Sequence, residues 1–146
     1  MREPVTSAEA GRTLDGQLQL RIPSRAEWVS VARLAVAGIA HRIEATIDEV
    51  EDLKLAVAEA CTNCIQHAQG NQEVLVTFEI AGRRLTMVVE DGGKGFDGRA
   101  LAPEPLGEPK VGGLGVFLIR SLMDEVDYDF DPLTGTKLTM TKVLGQ

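Results

Sequence analysis

The chain has 146 residues, a formal net charge of −7, 44% hydrophobic residues and 25% charged residues. This length and composition are typical of one globular domain with a hydrophobic core. The acidic balance argues against direct binding to nucleic acid or to an anionic membrane, and we predict neither partner. We find no signal peptide or membrane span, so the two cysteines indicate free thiols in a reducing cytoplasm.

The first predicted elements are a strand and a helix. Residues 17–22 alternate apolar and polar side chains, as a half-buried strand does. Ser24 and Glu27 have the spacing of a capping box, which predicts a helix that begins there and ends near Ala40. This helix is apolar around much of its circumference. The pattern fits a well-buried helix, or one that contacts a sheet on one side and a partner chain on the other.

A second helix is predicted by a second capping box, formed by Thr46 and Glu49. It extends from Ile47 to about Gln69, with Gly70 after its end. Apolar residues recur along it at three- and four-residue steps, which predicts one buried stripe. The stripe consists of Val50, Leu53, Val57, Cys61, Cys64 and Ala68.

The second half of the chain predicts four strands and one helix. Residues 73–80 and 84–90 alternate around a short turn and predict a hairpin. Residues 91–98 are rich in glycine and 99–111 contain three prolines, so we predict irregular structure followed by a flexible loop. Residues 112–125 are predicted to be glycine-rich at first and then helical, with strands over 126–130 and 136–143.

This order of elements predicts an α+β fold, a two-layer α/β sandwich with a mostly antiparallel sheet and helices on one face. We expect a single domain over residues 17–146, preceded by a flexible polar tail over 1–16. No internal repeat or low-complexity segment divides the chain.

Cys61 and Cys64 have the spacing of a redox or zinc motif, but their position argues against both. The reactive thiol of a redox motif lies at a helix N-terminus, whereas these cysteines lie well inside the predicted helix. A structural zinc site needs four ligands, and His41 and His67 lack the spacing to complete one. We interpret the cysteines as core-packing residues.

Glu59 and Asn63 lie four residues apart and share one face of the predicted helix, and His67 extends the row. Taken alone, the pair is better explained by a solvated polar face. The other motifs therefore decide whether the row belongs to a site.

The segment DGGKGFDG begins at Asp91, where a predicted strand ends. It lacks the directly following helix of a dinucleotide-binding motif, and it is not a P-loop because Gly95 follows Lys94. An EF-hand is excluded because glycines and Ala102 stand where oxygen ligands are needed. What remains is a tight turn, or an acceptor at Asp91 beside bare backbone that a flat ligand can approach closely.

Three glycines, at 112, 113 and 115, come directly before the last predicted helix. Free N–H groups and the helix dipole would make this a phosphate site. A glycine-rich entry to a buried helix explains the segment equally well. The motif indicates a phosphate site only in combination with the other motifs.

Together, four segments resemble the sequence boxes of the GHKL superfamily, which has the Bergerat ATP-binding fold. The resemblance covers about residues 17–143, and the boxes occur in the family's order. Glu59-x-x-x-Asn63 resembles the N box, DGGKGFD the Asp-x-Gly-x-Gly box, GGLGVFLI the second glycine box and GTKLTM the last Gly-Thr strand. The segments IPSRAEWVSVARL, AVAEACTNCIQHA and GLGVFLIRSLMDEVDY further resemble anti-sigma-factor serine kinases of the RsbW/SpoIIAB type.

The resemblance implies a role for each matching residue. Asn63 would bind the Mg²⁺ that bridges the ATP phosphates, and its amide oxygen is a ligand of the type Mg²⁺ prefers. Glu59 would act as general base toward the attacking hydroxyl. Asp91 would accept a hydrogen bond from the adenine amino group, with Gly93 and Gly95 beside the ring.

The resemblance also implies contacts at the two ends of the nucleotide. Thr136 would support the adenine end, and residues 98–112 would form the ATP lid. Relatives often carry an arginine just before the second glycine box, whereas Lys110 is the nearest cation in this chain. The residues whose N–H groups would face the phosphates are Gly113, Leu114 and Gly115.

In this family an ATP-bound homodimer sequesters a sigma factor and phosphorylates a serine of an anti-anti-sigma protein with a STAS domain. The resemblance thus implies a cytoplasmic, ATP- and Mg²⁺-dependent protein serine kinase that regulates transcription in a stress response. Two alternatives stay open. One is a module that binds ATP and a partner without phosphoryl transfer, and the other is a stress-signalling kinase of the same fold that is not an anti-sigma factor.

Overall fold

The computed structural model describes residues 15–67, 73–91, 110–131 and 135–145. Within these ranges the chain forms one sheet and a layer of helices. The strands are β1 (Gly16–Pro23), β2 (Glu73–Ala81), β3 (Arg84–Asp91), β4 (Glu125–Asp131) and β5 (Gly135–Val143). The helices are α1 (Val29–Arg42), α2 (Ile47–His67) and α3 (Lys110–Leu122), with a 3₁₀ helix at Ala26–Trp28.

The five strands form an antiparallel sheet in the order β1-β2-β3-β5-β4. Its register pairs Phe78 with Met87 and Met87 with Met140, so three buried side chains cross the middle of the sheet in one row. Because side chains alternate along a strand, every second residue of β3 faces the core. Helix α2 packs on β3 and β5, and α1 and α3 both pack against α2. The predicted α+β sandwich and the predicted hairpin are confirmed.

The predicted apolar stripe of α2 forms the centre of the helix layer. Leu53, Val57, Cys61 and Cys64 are all fully buried. Truncating a buried leucine such as Leu53 to alanine typically costs about 2–5 kcal/mol. The stripe therefore fixes the rotation of α2 over the sheet, and with it the direction of the polar row on the same helix. Ala68 and Gly70 lie outside the described residues.

The capping box at the start of α2 forms as predicted. The backbone N–H of Thr46 donates to Oε1 of Glu49 over 2.8 Å, and the N–H of Glu49 donates to Oγ1 of Thr46 over 3.1 Å. Glu49 Oε1 also accepts from the N–H of Gly145 over 2.9 Å, which connects α2 to the end of the chain. Burial alone would raise the pKa of Glu49, but these hydrogen bonds and the nearby Lys142 lower it below its usual value.

The capping box predicted at Ser24 and Glu27 is wrong. The chain first makes the 3₁₀ turn, and neither Arg25 before it nor Trp28 before α1 caps the helix with its side chain. Within the described part of the chain, the buried Oγ of Ser24 has no hydrogen-bond partner. Helix α1 then continues to Arg42 instead of ending near Ala40. The spacing of two residues thus predicted the helix but not its first turn.

The last helix begins earlier than the sequence predicted. Helix α3 begins at Lys110, so Gly112, Gly113 and Gly115 lie inside its first turns and not in front of it. The loop predicted over 99–111 is therefore two residues too long at its end. Glycine lowers helix propensity by up to about 1 kcal/mol per residue, which explains why the pattern placed the boundary too late.

Candidate active site

The polar row of α2 faces a cleft between α2 and α3. The cleft has a volume of about 500 Å³. Glu59 and Asn63, which the sequence predicted to share a helix face, both line it. The residues that complete the lining are Thr62, Gln66, Gly115, Phe117 and Leu118.

Gly115 allows α3 to approach the carboxylate of Glu59. A Cβ added at Gly115 would stand 3.2 Å from Oε1 of Glu59, closer than ordinary van der Waals contact. A residue with a side chain at this position would press on the carboxylate. The glycine thus lets the two helices place Glu59 at the wall of the cleft, with backbone instead of a side chain opposite it.

Asn63 lies one helical turn after Glu59 and is 4% exposed. Its Oδ1 has no hydrogen-bond partner among the residues that the structure describes. A buried amide oxygen without a partner costs about 1–3 kcal/mol. An oxygen in this position fits a bound cation or a ligand donor, and amide oxygens are ligands that Mg²⁺ accepts.

A second group of predicted site residues meets at the ends of β3 and β5. Asp91 continues the core-facing row of β3, and the register places it opposite Thr136. The N–H of Thr136 donates to Oδ2 of Asp91 over 3.3 Å, and both residues are buried. The adjacent Gly135 has φ of +97°, and a Cβ there would lie 2.6 Å from Oδ2 of Asp91. Only glycine fits this position, so the Gly-Thr pair allows the buried carboxyl to sit against β5.

The structure thus brings the predicted site residues together in two groups. Glu59, Asn63 and Gly115 share the cleft, whereas Asp91 and Thr136 share the strand ends. Lys110, Gly113 and Leu114 lie in the first turns of α3. Gly93, Gly95 and most of the predicted lid lie outside the described residues.

Cys61 and Cys64 pack in the core, which confirms their interpretation from the sequence. Burial raises the pKa of Cys61 to about 12. Burial, with the nearby charge of Asp91, raises the pKa of Cys64 well above its usual value. Cys64 Sγ contacts the carbonyl of Val89 at 3.8 Å. Both thiols therefore stay protonated at neutral pH and are poor nucleophiles and metal ligands.

Comparison with known proteins identifies the family. The histidine kinase-like ATPase domain matches residues 22–142. Serine-protein kinase RsbW of Halalkalibacterium halodurans is 41% identical over 87% of this chain and 83% of its own length. Serine-protein kinase RsbW of Bacillus subtilis is 38% identical over 87% and 85%. The chain belongs to the RsbW family of serine-protein kinases.

Solved structures share the fold of this RsbW-family chain. The RsbU and RsbW domains of Rv1364c from Mycobacterium tuberculosis match with a TM-score of 0.67 at 17% identity, over 90% of this chain and 33% of that one. The SiaB–SiaC complex from Pseudomonas aeruginosa matches with a TM-score of 0.57 at 15% identity, over 93% and 92%. These matches confirm the predicted ATPase-type fold. In the described ranges, no helix is long and apolar enough to cross a bilayer.

The structure adds four cleft residues that sequence reasoning missed in this RsbW-family chain. Thr62 and Gln66 follow Glu59 and Asn63 by three residues, a spacing that places them beside the row on α2. Phe117 and Leu118 lie in an apolar run for which a buried helix was one of two interpretations, so their apolar character hid their position at the cleft. The helical spacing of Thr62 and Gln66 from Glu59 is the sequence signal that could have identified them.

Proposed function

We propose that the cleft binds ATP with Mg²⁺ and that Glu59 accepts the proton of a serine hydroxyl on a protein substrate. The single observation that carries this proposal is the buried Oδ1 of Asn63, which has no partner among the described residues and lies one turn from Glu59. The cleft volume of about 500 Å³ suits the phosphate part of a nucleotide. Family membership supports the reaction class.

Each residue of the site has one task in this proposal. Bound Mg²⁺–ATP supplies the phosphoryl group and the charge neutralisation that its transfer needs. Asn63 holds the cation through Oδ1, and Asp91 accepts a hydrogen bond from the adenine amino group, supported by Thr136. Glu59 orients the serine hydroxyl and takes its proton. Gly93 and Gly95, which lie outside the described residues, are the glycines that the family resemblance implies beside the adenine ring.

The first turns of α3 form the phosphate end of the proposed site. The N–H groups of the N-cap and of the first three helical residues have no intrahelical partner, and in α3 the three helical ones belong to residues 110–112. These backbone N–H groups are thus available to an anion, and Lys110 is the nearest cation in the sequence. Phosphate contacts from the N–H groups of Gly113, Leu114 and Gly115 require that the first turn of α3 opens.

A homodimer that sequesters a sigma factor and phosphorylates a STAS protein completes the proposal. The support for a homodimer is an apolar groove of about 550 Å³ between β1 and α1. Leu34 of α1 is 72% exposed there, and Leu18 of the edge strand β1 is also exposed. A second copy would cover these side chains. The proposal includes that the protein acts in the cytoplasm during a stress response.

Calorimetric titration of ATP, with and without Mg²⁺, tests the binding step. We expect Mg²⁺-dependent binding that weakens by about tenfold or more in Asn63→Ala and in Asp91→Asn, since each variant loses a direct contact. Glu51→Gln is the matched control because Glu51 lies two helical turns before Glu59 on the same helix, in an exposed ion pair with Lys54. Binding that ignores Mg²⁺ and Asn63 would refute the assignment of the cation site.

Transfer from labelled ATP to purified STAS-domain proteins tests the chemical step. We expect Glu59→Gln to bind ATP as the wild type does and to transfer phosphate at least about a hundredfold more slowly, since general bases typically contribute this much. If wild type binds ATP and transfers to no STAS protein, the chain is a binding module. If Glu59→Gln transfers phosphate as fast as the wild type does, Glu59 is not the general base.

A further inference from the structure

A large apolar side chain stands at the mouth of the cleft. Phe117 on α3 is 69% exposed and lines the same cleft as Glu59 and Asn63. The core face of α3 consists of Val116 and Ile119, which are buried, so Phe117 does not serve the packing of its own helix. A helical side chain leans toward the N-terminus of its helix, which for Phe117 is the phosphate end of the proposed site.

A second apolar side chain lies on the other helix. Leu55 of α2 is 42% exposed, outside the buried stripe of that helix. It precedes Glu59 by four residues and Thr62 by seven, so it shares their helix face and lies about 6 Å along the axis from Glu59. Leu55 and Phe117, which we call the docking rim, thus approach Glu59 from both helices.

The position of Glu59 restricts what can lie on this rim. A general base must come within about 3 Å of the hydroxyl it deprotonates. A serine side chain is short, so the substrate backbone must enter the cleft mouth, and the residues next to the serine must lie over the side chains around Glu59. The docking rim is continuous with that mouth, since Phe117 lines the same cleft. Isolated exposed hydrophobic residues are common, but two that flank one reactive group from two helices call for a partner.

We propose that the docking rim binds apolar side chains beside the target serine of the substrate protein, and that Phe117 is its main anchor. Buried aromatic residues contribute most to such contacts, because a large apolar ring loses little rotational freedom when it binds. The substrate is therefore a protein whose serine is flanked by exposed apolar residues. This inference rests on the proposed kinase function.

Steady-state kinetics with a STAS-domain protein that the wild type phosphorylates tests the docking rim. We expect Phe117→Ala to raise the KM for that protein by about tenfold, and Leu55→Ala by about threefold, with kcat and the ATP Kd changing much less than the KM. Phe117→Tyr should keep most of the affinity because the ring remains. The matched control is Ile47→Ala, which removes an apolar side chain that is 81% exposed, two turns before Leu55, and should leave KM unchanged.

The outcomes separate this inference from the function on which it rests. A wild-type KM in Phe117→Ala, with transfer intact, refutes the docking rim alone. An ATP Kd that weakens as much as the KM rises assigns Phe117 to the nucleotide and also overturns the inference. Equal transfer by Glu59→Gln and wild type overturns the role of Glu59, while a raised KM in Phe117→Ala still supports docking. If the wild type phosphorylates no STAS protein, the proposed function and the docking rim fail together.

Discussion

Substituting Gly115 with alanine should separate the stability of this protein from its activity. The added methyl would stand 3.2 Å from Oε1 of Glu59. The opposing atom is the end of a flexible side chain, so the carboxylate gives way by a few tenths of an ångström. We therefore expect Gly115→Ala to fold with the wild-type backbone and a displaced Glu59.

This substitution should raise the stability of the fold and lower the rate of phosphoryl transfer. Alanine is better than glycine inside a helix by about 0.5–1 kcal/mol, because it loses less backbone entropy on folding. For a domain of this size the gain corresponds to a rise in Tm of roughly 2–4 °C. Catalysis is sensitive to small displacements of reacting groups, so we expect kcat for phosphoryl transfer to fall by roughly five- to tenfold.

Gly38→Ala provides the matched control, since Gly38 lies in α1 and an added Cβ there meets no described heavy atom within 4 Å. It should raise Tm by a similar amount and leave transfer unchanged when the oligomeric state matches that of wild type, since Gly38 lines the groove proposed for the second copy. Thermal unfolding by circular dichroism and transfer at saturating ATP measure the two effects. If Gly115→Ala transfers phosphate as fast as Gly38→Ala does, the position of Glu59 against α3 does not matter for the reaction. A lowered Tm would show that the contact is not relieved by the side chain.

Three further predictions concern the framework of the site. Glu49→Gln should lower the free energy of unfolding by roughly 0.3–1 kcal/mol at pH 7 in urea titrations, because the variant keeps a hydrogen-bond acceptor but loses the charge beside the helix N-terminus. Because the folded pKa of Glu49 lies below its unfolded pKa, this difference should be full above the unfolded pKa and vanish as the pH falls through the folded pKa. The double substitution Cys61→Ala and Cys64→Ala should cost roughly 1–2 kcal/mol per residue and keep calorimetric ATP binding, whereas a lost bound metal would contradict core packing. Gly135→Ala should destabilise the fold by at least about 1–3 kcal/mol and weaken ATP binding, since the φ of +97° at Gly135 and the carboxyl of Asp91 leave no room for a methyl. Unchanged ATP affinity in a folded variant would argue against Asp91 as a nucleotide contact.

Periodicity and capping predicted most of the fold because these patterns depend on local physics. The Thr46–Glu49 box forms as predicted, and β3, which alternates in sequence, alternates in burial. The predicted box at Ser24 failed because the same spacing also fits a 3₁₀ turn followed by a helix without side-chain caps. Glycine hid the true start of α3, since its low helix propensity is overridden here by packing against α2.

The pairing of distant residues in the site was less accessible to sequence reasoning. Asp91 and Thr136 meet because the antiparallel register of β3 and β5 sets them opposite each other, which depends on pairings across 45 residues of chain. The contact between Gly115 and Glu59 depends on how closely two helices approach. Family resemblance supplied these groupings, whereas composition and spacing supplied only the separate motifs. Phe117 was missed because an apolar residue in an apolar helix predicts burial.

Helix α2 links stability and function because its two faces have different tasks. The buried stripe of Leu53, Val57 and Cys61 fixes the helix on the sheet, and this directs Glu59 and Asn63 into the cleft. The folded protein accepts a cost at Asn63, whose buried Oδ1 lacks a partner among the described residues. A ligand that supplies this partner regains that free energy only in the folded state, so binding and folding are coupled. The core of α2 therefore stabilises a site in which Oδ1 of Asn63 has no partner among the described residues.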